Sequence, residues 1–155
     1  GLPLLLSKQE HWGQADLTRR KHAIPSHLDR QKLQIAERGT WDAEILDELG
    51  AVLQPADHVF VKHRMSCFFD TNLGTRLRML DVSQIIIAGV VTNVCVESTI
   101  RDAYFRDYDV IVVRDCVASP WPDLHEATLK NVDLLFGRVM SLADLFIAFG
   151  ERVLV

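Results

Sequence analysis

The residue best suited to chemistry in this 155-residue chain is Cys95. An apolar, β-branched run ends at Gly89, and a polar segment compatible with a helix begins a few residues later. The thiol therefore falls where a buried strand turns into a helix, and the backbone N–H groups and helix dipole there favour an anion. They can stabilise a thiolate and hold the oxyanion that forms when a carbonyl is attacked. The pattern indicates a nucleophilic cysteine, and a buried structural cysteine is the alternative.

A second candidate is Lys62, which ends the apolar segment 58–62. Ligands of α/β sheets bind beyond the carboxyl ends of the strands, where the pattern also places Cys95 and the pair Asp115 and Cys116. We expect the side chains of Lys62 and Cys95 to meet there, since an ammonium beside a thiol stabilises the thiolate. The alternative is a lysine that extends to solvent at the sheet edge.

Strands and helices alternate along the chain. The predicted strands are 2–7, 58–62, 85–90, 109–113 and 139–140, and the predicted helices are 40–49, 70–80, 92–108, 123–136 and 142–149, the last capped by Ser141. Residues 8–38 are polar, without a clear period, and predict a long loop. Glu97 and Arg101 are spaced for an ion pair on one helix. Because the strands are continuous apolar runs, the pattern favours a parallel sheet covered on both faces.

The composition is that of a globular protein, with 48% hydrophobic and 25% charged residues and a net charge of −4. The mild acidity argues against a nucleic-acid or membrane surface, and no apolar run approaches the ~20 residues that span a bilayer. Three cysteines without a Cys-x-x-Cys pair favour a reducing, cytoplasmic setting. We interpret Cys67 and Cys116 as packing residues.

Two segments of the chain match a known pattern. Residues 62–73 read KHRMSCFFDTNL and residues 88–99 read AGVVTNVCVEST, followed by Arg101, Asp102 and Ala103. These segments resemble the isochorismatase-like cysteine hydrolases, in particular their ureidoacrylate and N-carbamoyl amidohydrolase branch. The resemblance runs over essentially the whole chain. It implies an α/β fold in one domain over residues 1–155, a three-layer α/β/α sandwich with a mostly parallel, Rossmann-like sheet.

The resemblance also implies a catalytic triad of Asp, Lys and Cys, in which Cys95 is the nucleophile and Lys62 the lysine. It implies a cis peptide between Val90 and Val91 and an oxyanion hole formed by the backbone N–H groups of Val91 and Cys95. The thiolate would attack an amide or ureido carbonyl, release an amine or ammonia, and leave an acyl-enzyme for water to hydrolyse.

The candidate substrate-pocket residues are Phe68, Phe69 and Asn93, with Trp121 near the pocket mouth, although core packing is the alternative for the aromatic residues. The expected partners are a small amide or ureido substrate and further copies of the chain in a homo-oligomer, with no nucleic acid and no membrane. We expect no metal and no other cofactor, since residues 7–12, SKQEHW, lack the Asp-x-His of the nicotinamidase branch. His22 and His27 are interpreted as loop residues.

One part of the family pattern has no counterpart. The family's triad Asp follows its first strand, whereas residue 1 matches the start of the second, and Asp16 in the polar loop is a poor substitute. We therefore expect a domain that lacks the first strand and helix and is poorly active by itself. The alternatives are a catalytically silent homologue that acts as a binding or oligomer partner, and an isochorismatase-type enzyme that cleaves a vinyl ether.

Overall fold

The computed structural model describes residues 3–11 and 36–150, which form two compact units. The N-terminal unit covers residues 3–63, and the C-terminal unit covers the described residues from 64 onward. Most of the predicted polar loop, including Asp16, His22 and His27, lies outside the described residues. Within the described part of the chain, no helix is both long and apolar enough to cross a membrane.

The N-terminal unit contains strand β1 (Leu5–Gln9), a 3₁₀ turn (Trp41–Ala43), helix α1 (Asp47–Gly50) and strand β2 (His58–Lys62). β1 and β2 pair in parallel and in register. The helix predicted over 40–49 is interrupted because Glu44 is extended, with φ −87° and ψ 159°. The first predicted strand begins and ends later than expected and is half-buried along its length.

The C-terminal unit alternates helices and strands. Its elements are α2 (Leu73–Met79), β3 (Gln84–Val90), a π-helical turn (Thr92–Val96), α3 (Glu97–Tyr104), β4 (Asp109–Ala118), α4 (Pro122–Asn131), a second π-helical turn (Val132–Phe136), β5 (Arg138–Met140) and α5 (Leu142–Phe149). The sheet order is β3-β4-β5, and both pairings are parallel. The α/β class with parallel pairing is confirmed, with the described strands divided between two sheets, one in each unit.

The core of the C-terminal unit forms around β4, whose residues Val110 to Val113 are all buried. Ile111 and Val113 cluster with Leu145 of α5. Successive strand residues face opposite sides, so Val110 and Val112 bury the other face. α3 also contacts β4 and buries Ile100 completely. β4 is therefore covered on both faces, as its apolar run indicates. β3 differs from the buried strand that the sequence predicts, because only Ile87 is buried and residues 88–90 are exposed.

β4 continues five residues beyond the predicted end at Val113. Ile87 of β3 pairs with Val112, and Gly89 pairs with Val117, so two steps along β3 are matched by five along β4. Asp115 and Cys116 therefore lie within the strand, not after it, and the placement at the strand end is wrong. Cys116 is exposed, which contradicts its interpretation as a packing residue.

Helix ends differ from the sequence prediction for local reasons. Asp70 has a φ of 55° and Asp107 a φ of 63°, so neither residue can continue a right-handed helix. α2 accordingly begins at Leu73 and α3 ends at Tyr104. The predicted cap of the last helix is confirmed, since the Ser141 hydroxyl accepts a hydrogen bond from the Asp144 amide.

Gly137, just before β5, is required by close backbone packing. A Cβ added there would collide with the Val110 carbonyl of β4. We expect Gly137→Ala to lower the free energy of unfolding by about 1–3 kcal/mol, the usual cost of overpacking. Gly74→Ala in α2 is the control, because its added Cβ would meet side-chain atoms only, the nearest 3.6 Å away. Urea unfolding measures both variants, and equal stability of Gly137→Ala and the parent would contradict the packing argument.

Candidate active site

Cys95 lies in the π-helical turn Thr92–Val96, named here the Cys95 turn, between β3 and α3. The amides of Val94 and Val96 both donate to the Val91 carbonyl, over 3.0 and 3.2 Å. Cys95 itself is half-buried. The cysteine therefore lies between a strand and a helix, as predicted, but in a π-helical turn. Short π-helical segments are rare and occur frequently at functional sites.

The backbone before the Cys95 turn has two special conformations. The Val90–Val91 peptide bond, which the resemblance singled out, is cis. Gly89 has a φ of 114°, a region that residues with side chains rarely adopt. Val91 precedes the turn as its N-cap residue. The two proposed oxyanion-hole residues, Val91 and Cys95, thus belong to one short segment.

Hydroxyl groups of α3 hold the carbonyl side of the Cys95 turn. Thr99 Oγ1 donates to the Cys95 carbonyl over 2.7 Å, and Ser98 Oγ donates to the Val94 carbonyl over 2.6 Å. The same Thr99 oxygen accepts the Cys67 amide over 3.0 Å. One threonine therefore ties the Cys95 backbone to the loop that precedes α2.

A polar network joins α3 to α4. Glu97 accepts both the Nε and Nη2 of Arg101, at 3.0 and 2.6 Å, which confirms the predicted pair. Its second oxygen accepts the Thr128 hydroxyl over 2.7 Å. The Arg101 guanidinium lies 4.4 Å from the centre of the Phe136 ring. Thr128 carried no sequence signal, because its partner is on another helix.

The start of the Cys95 turn also contacts the segment that follows β4. Ser119 Oγ donates to Asn93 Oδ1 over 2.7 Å and accepts the Trp121 amide over 3.1 Å. His125 Nδ1 lies 2.9 Å from Thr92 Oγ1. The Asn93 side chain is thus oriented by Ser119, a residue that sequence reasoning missed.

The two phenylalanines named as pocket candidates have different surroundings. Phe68 is buried, its ring 6.0 Å from that of Tyr108, and the Arg106 guanidinium lies 4.9 Å above it. Phe69 is 58% exposed. Phe68 therefore packs within the C-terminal unit, whereas Phe69 presents its ring to solvent.

Lys62 belongs to the N-terminal unit and is 5% exposed. Its Nζ donates to the Gln9 side-chain carbonyl across the β1–β2 pair, and its own carbonyl accepts the Glu10 amide over 3.0 Å. The lysine does not extend to solvent, so that alternative is wrong. The side-chain contact with Gln9 follows directly from the strand register, in which the two residues are opposite each other.

The N-terminal unit carries a further charged cluster beside a small cleft of about 200 Å³. Lys8 Nζ lies 3.0 Å from Glu44 and 3.1 Å from Glu10, and these two carboxylates raise the pKa of Lys8. Neither the cleft nor this cluster was indicated by the sequence. Within residues 3–11 and 36–150, no three His, Cys, Asp or Glu side chains are grouped to hold a metal ion.

Asp102 on α3 contacts the loop before α2. Burial raises the pKa of Asp102, but hydrogen bonds from Ser66 and Arg106 outweigh burial and hold the pKa below its usual value. The contact from Arg106 Nη1 to Asp102 Oδ1 is 2.7 Å long. This carboxylate therefore helps to anchor the segment that contains Cys67 and Phe68.

A family model described as the isochorismatase domain matches residues 1–144. Similar curated proteins include the ureidoacrylate amidohydrolase RutB of Enterobacter sp. strain 638, 38% identical over 128 residues, which are 81% of this chain and 55% of that protein. The RutB protein of Agrobacterium fabrum is 37% identical over 128 residues, again 81% of this chain and 55% of the relative. The chain spans about half the length of these relatives.

Solved structures show the same likeness. An isochorismatase-like hydrolase from Alkaliphilus metalliredigens has a TM-score of 0.75 and 29% identity, over 95% of this chain and 72% of that one. A cysteine hydrolase from Pseudomonas syringae pv. phaseolicola has a TM-score of 0.79 and 31% identity, over 94% of this chain and 70% of that one.

The three thiols differ in solvent exposure, so their labelling rates show whether reactivity follows exposure or position in the fold. We expect iodoacetamide near pH 7 to modify Cys95 faster than Cys116, although Cys95 is half-buried and Cys116 exposed, because a position at the start of a helix stabilises a thiolate. Peptide mapping at short reaction times gives the relative rates. Faster modification of Cys67 or Cys116 would contradict the assignment of Cys95.

The lowered pKa of Asp102 predicts a pH-dependent contribution to stability. The contribution is present above the ordinary carboxyl pKa and is lost as the pH falls through the lower, folded-state pKa. Asp102→Asn should therefore reduce the free energy of unfolding near neutral pH, by at most about 1 kcal/mol, and the difference should shrink under acid conditions. Denaturant unfolding across pH measures it, with the exposed Asp107→Asn as control. A difference that grows on acidification would exclude this role.

Proposed function

Because the chain belongs to the isochorismatase family, we propose that it carries the nucleophile of a hydrolase that cleaves C–N bonds of small amide, ureido or carbamoyl compounds. The observation that supports this most directly is the position of Cys95, in a π-helical turn between the end of β3 and the start of α3. Similar curated proteins named ureidoacrylate amidohydrolases support the substrate class.

In the proposed reaction the Cys95 thiolate attacks the carbonyl carbon, and the backbone N–H groups of Val91 and Cys95 hold the resulting oxyanion. The proton that the Cys95 thiol released is transferred to the nitrogen. Collapse of this intermediate then breaks the C–N bond, the amine or ammonia leaves, and the acyl group remains on sulfur. Water then hydrolyses the thioester and regenerates the thiol. The hydroxyl contacts to the Val94 and Cys95 carbonyls support this role, since they fix the turn before substrate arrives.

Lys62 is the proposed catalytic lysine, with the task of stabilising the thiolate and the charge that develops on the substrate. Lysine is almost never fully buried unless it is paired, and Lys62 is buried with its Nζ donating to Gln9. A buried lysine at a strand end fits a role in the reaction better than a role in solvation.

For the substrate pocket we propose Asn93 and Phe69, with Phe68 supporting the same loop from within the core. Ser119 fixes the orientation of the Asn93 amide, so Asn93 can present a defined hydrogen-bonding group to a ureido substrate. The exposed ring of Phe69 offers an apolar surface.

We also propose that the protein acts in the cytoplasm as a homo-oligomer. Its three cysteines, an odd number, fit a reducing compartment. Phe105, Leu134 and Leu135 are exposed in the C-terminal unit, and contact with another copy of the chain would remove their apolar surface from water.

The test uses the protein that carries this chain, assayed for ammonia or amine release from ureidoacrylate-like, N-carbamoyl and biuret-type compounds. We expect Cys95→Ala to lower kcat by at least about 10⁴-fold and Lys62→Met by roughly 10²–10³-fold, the usual loss when a group that stabilises developing charge is removed, whereas Cys116→Ser remains active. Mass spectrometry of Cys95→Ser or of rapidly quenched parent enzyme should detect the acyl group on residue 95.

Full activity of Cys95→Ala would exclude the proposed mechanism. Cleavage of a vinyl ether by that variant would favour the isochorismatase-type alternative, which needs no cysteine. A parent protein without turnover on all three compound classes would favour the silent homologue.

A further inference from the structure

We infer that His125 is a positioning residue for Cys95, acting through the buried hydroxyl of Thr92. The inference rests on the proposed role of Cys95 as the nucleophile. His125 itself lies on α4, a different element from the one that carries the thiol.

The contact joins His125 Nδ1 to Thr92 Oγ1 over 2.9 Å. Thr92 is 0% exposed and begins the Cys95 turn, three positions before the thiol. Leaving a buried hydroxyl without a hydrogen-bond partner costs free energy. The contact with His125 therefore fixes the position of Thr92 and, with it, the start of the Cys95 turn. The His125 amide donates to the Trp121 carbonyl over 2.9 Å, which fixes this residue within the first turn of α4.

The two imidazole nitrogens have different surroundings. Nδ1 faces Thr92, whereas Nε2 lies 3.9 Å from Glu126 Oε1 on the neighbouring, exposed side chain. The imidazole therefore offers its Nδ1 to the Cys95 turn as the hydrogen-bonding atom. A side chain that places a hydrogen-bonding atom at that position should replace histidine.

A second contact shows that α4 holds both ends of the Cys95 turn. Thr128, one turn further along α4, donates to Glu97, the residue that follows the turn. His125 thus fixes the start and Thr128 the end of the five residues around Cys95. A small error in the position of a nucleophile lowers the rate sharply, by as much as about 10²-fold for 1 Å.

The experiment compares three substitutions of His125 in the protein that carries this chain. His125→Asn keeps a hydrogen-bonding atom near the position of Nδ1, His125→Gln places one near Nε2, and His125→Ala removes both. We expect the Gln and Ala variants to lose roughly 10- to 100-fold in kcat, with KM changed by less than about 3-fold, and the Asn variant to restore most of the rate.

Iodoacetamide labelling gives a readout independent of turnover. The rate at Cys95 should fall in the Gln and Ala variants and recover in the Asn variant, while the rate at Cys116 stays constant. If Thr92 carries the effect, Thr92→Val combined with His125→Gln should cost little more than either change alone.

Equal losses in the Asn and Gln variants would overturn the inference, as would an effect confined to KM or to thermal stability. If His125→Ala fails to fold, the comparison of Asn with Gln still decides. Full activity of Cys95→Ala would instead refute the proposed function, and the labelling rates at Cys95 would still test the contact between His125 and Thr92.

Discussion

The double burial of β4 is the constraint on which the C-terminal unit depends. This strand pairs with a neighbour on each edge, and Val110 to Val113 are buried on both faces. Parallel neighbours require a crossover between successive strands, usually a helix. α3 and α4 supply these crossovers, and both therefore begin near the carboxyl ends of the strands they follow. The Cys95 turn and the first turn of α4 come together for this reason.

Small polar side chains then fix what the sheet brings together. Thr92, Ser98, Thr99, Ser119 and Thr128 each make a hydrogen bond to a residue of another segment or to a carbonyl near Cys95. Short side chains lose little rotamer freedom when they are ordered. The cysteine is thus surrounded by contacts that exist before any substrate binds, which is the condition for electrostatic preorganisation.

Local patterns in the sequence were sufficient for much of this arrangement. The strand over 58–62, the Ser141 cap and the pair of Glu97 and Arg101 all depend on residues close together in the chain, and the structure has them as predicted. The position of Cys95 between a strand and a helix belongs to the same class, although the strand is not buried as predicted, since Ile87 is its only buried residue.

Features that depend on tertiary contacts could not be predicted in this way. β4 extends beyond Val113 through exposed residues that include Arg114 and Asp115. Because a strand is predicted from a run of apolar residues, this polar extension is predicted to be a loop. The contacts of Thr92 with His125 and of Glu97 with Thr128 span 33 and 31 residues and leave no periodic signal. Residues that act through such contacts are visible only once the helices are packed.

Because β3 and β4 pair irregularly, the number of residues in this part of β4 matters separately from which residues they are. From the residue paired with Ile87 to the residue paired with Gly89, β4 advances by five positions, whereas β3 advances by two. Arg114 and Cys116 lie in this part of β4, and both are exposed. Substitutions at these two positions leave the spacing intact. Deleting one residue would instead shift Ser119 by about 3.3 Å along the strand. That shift is larger than the 2.7 Å length of the hydrogen bond between Ser119 and Asn93, so the bond would be lost. The number of residues in this stretch of β4 therefore sets the position of Ser119 and of the start of α4.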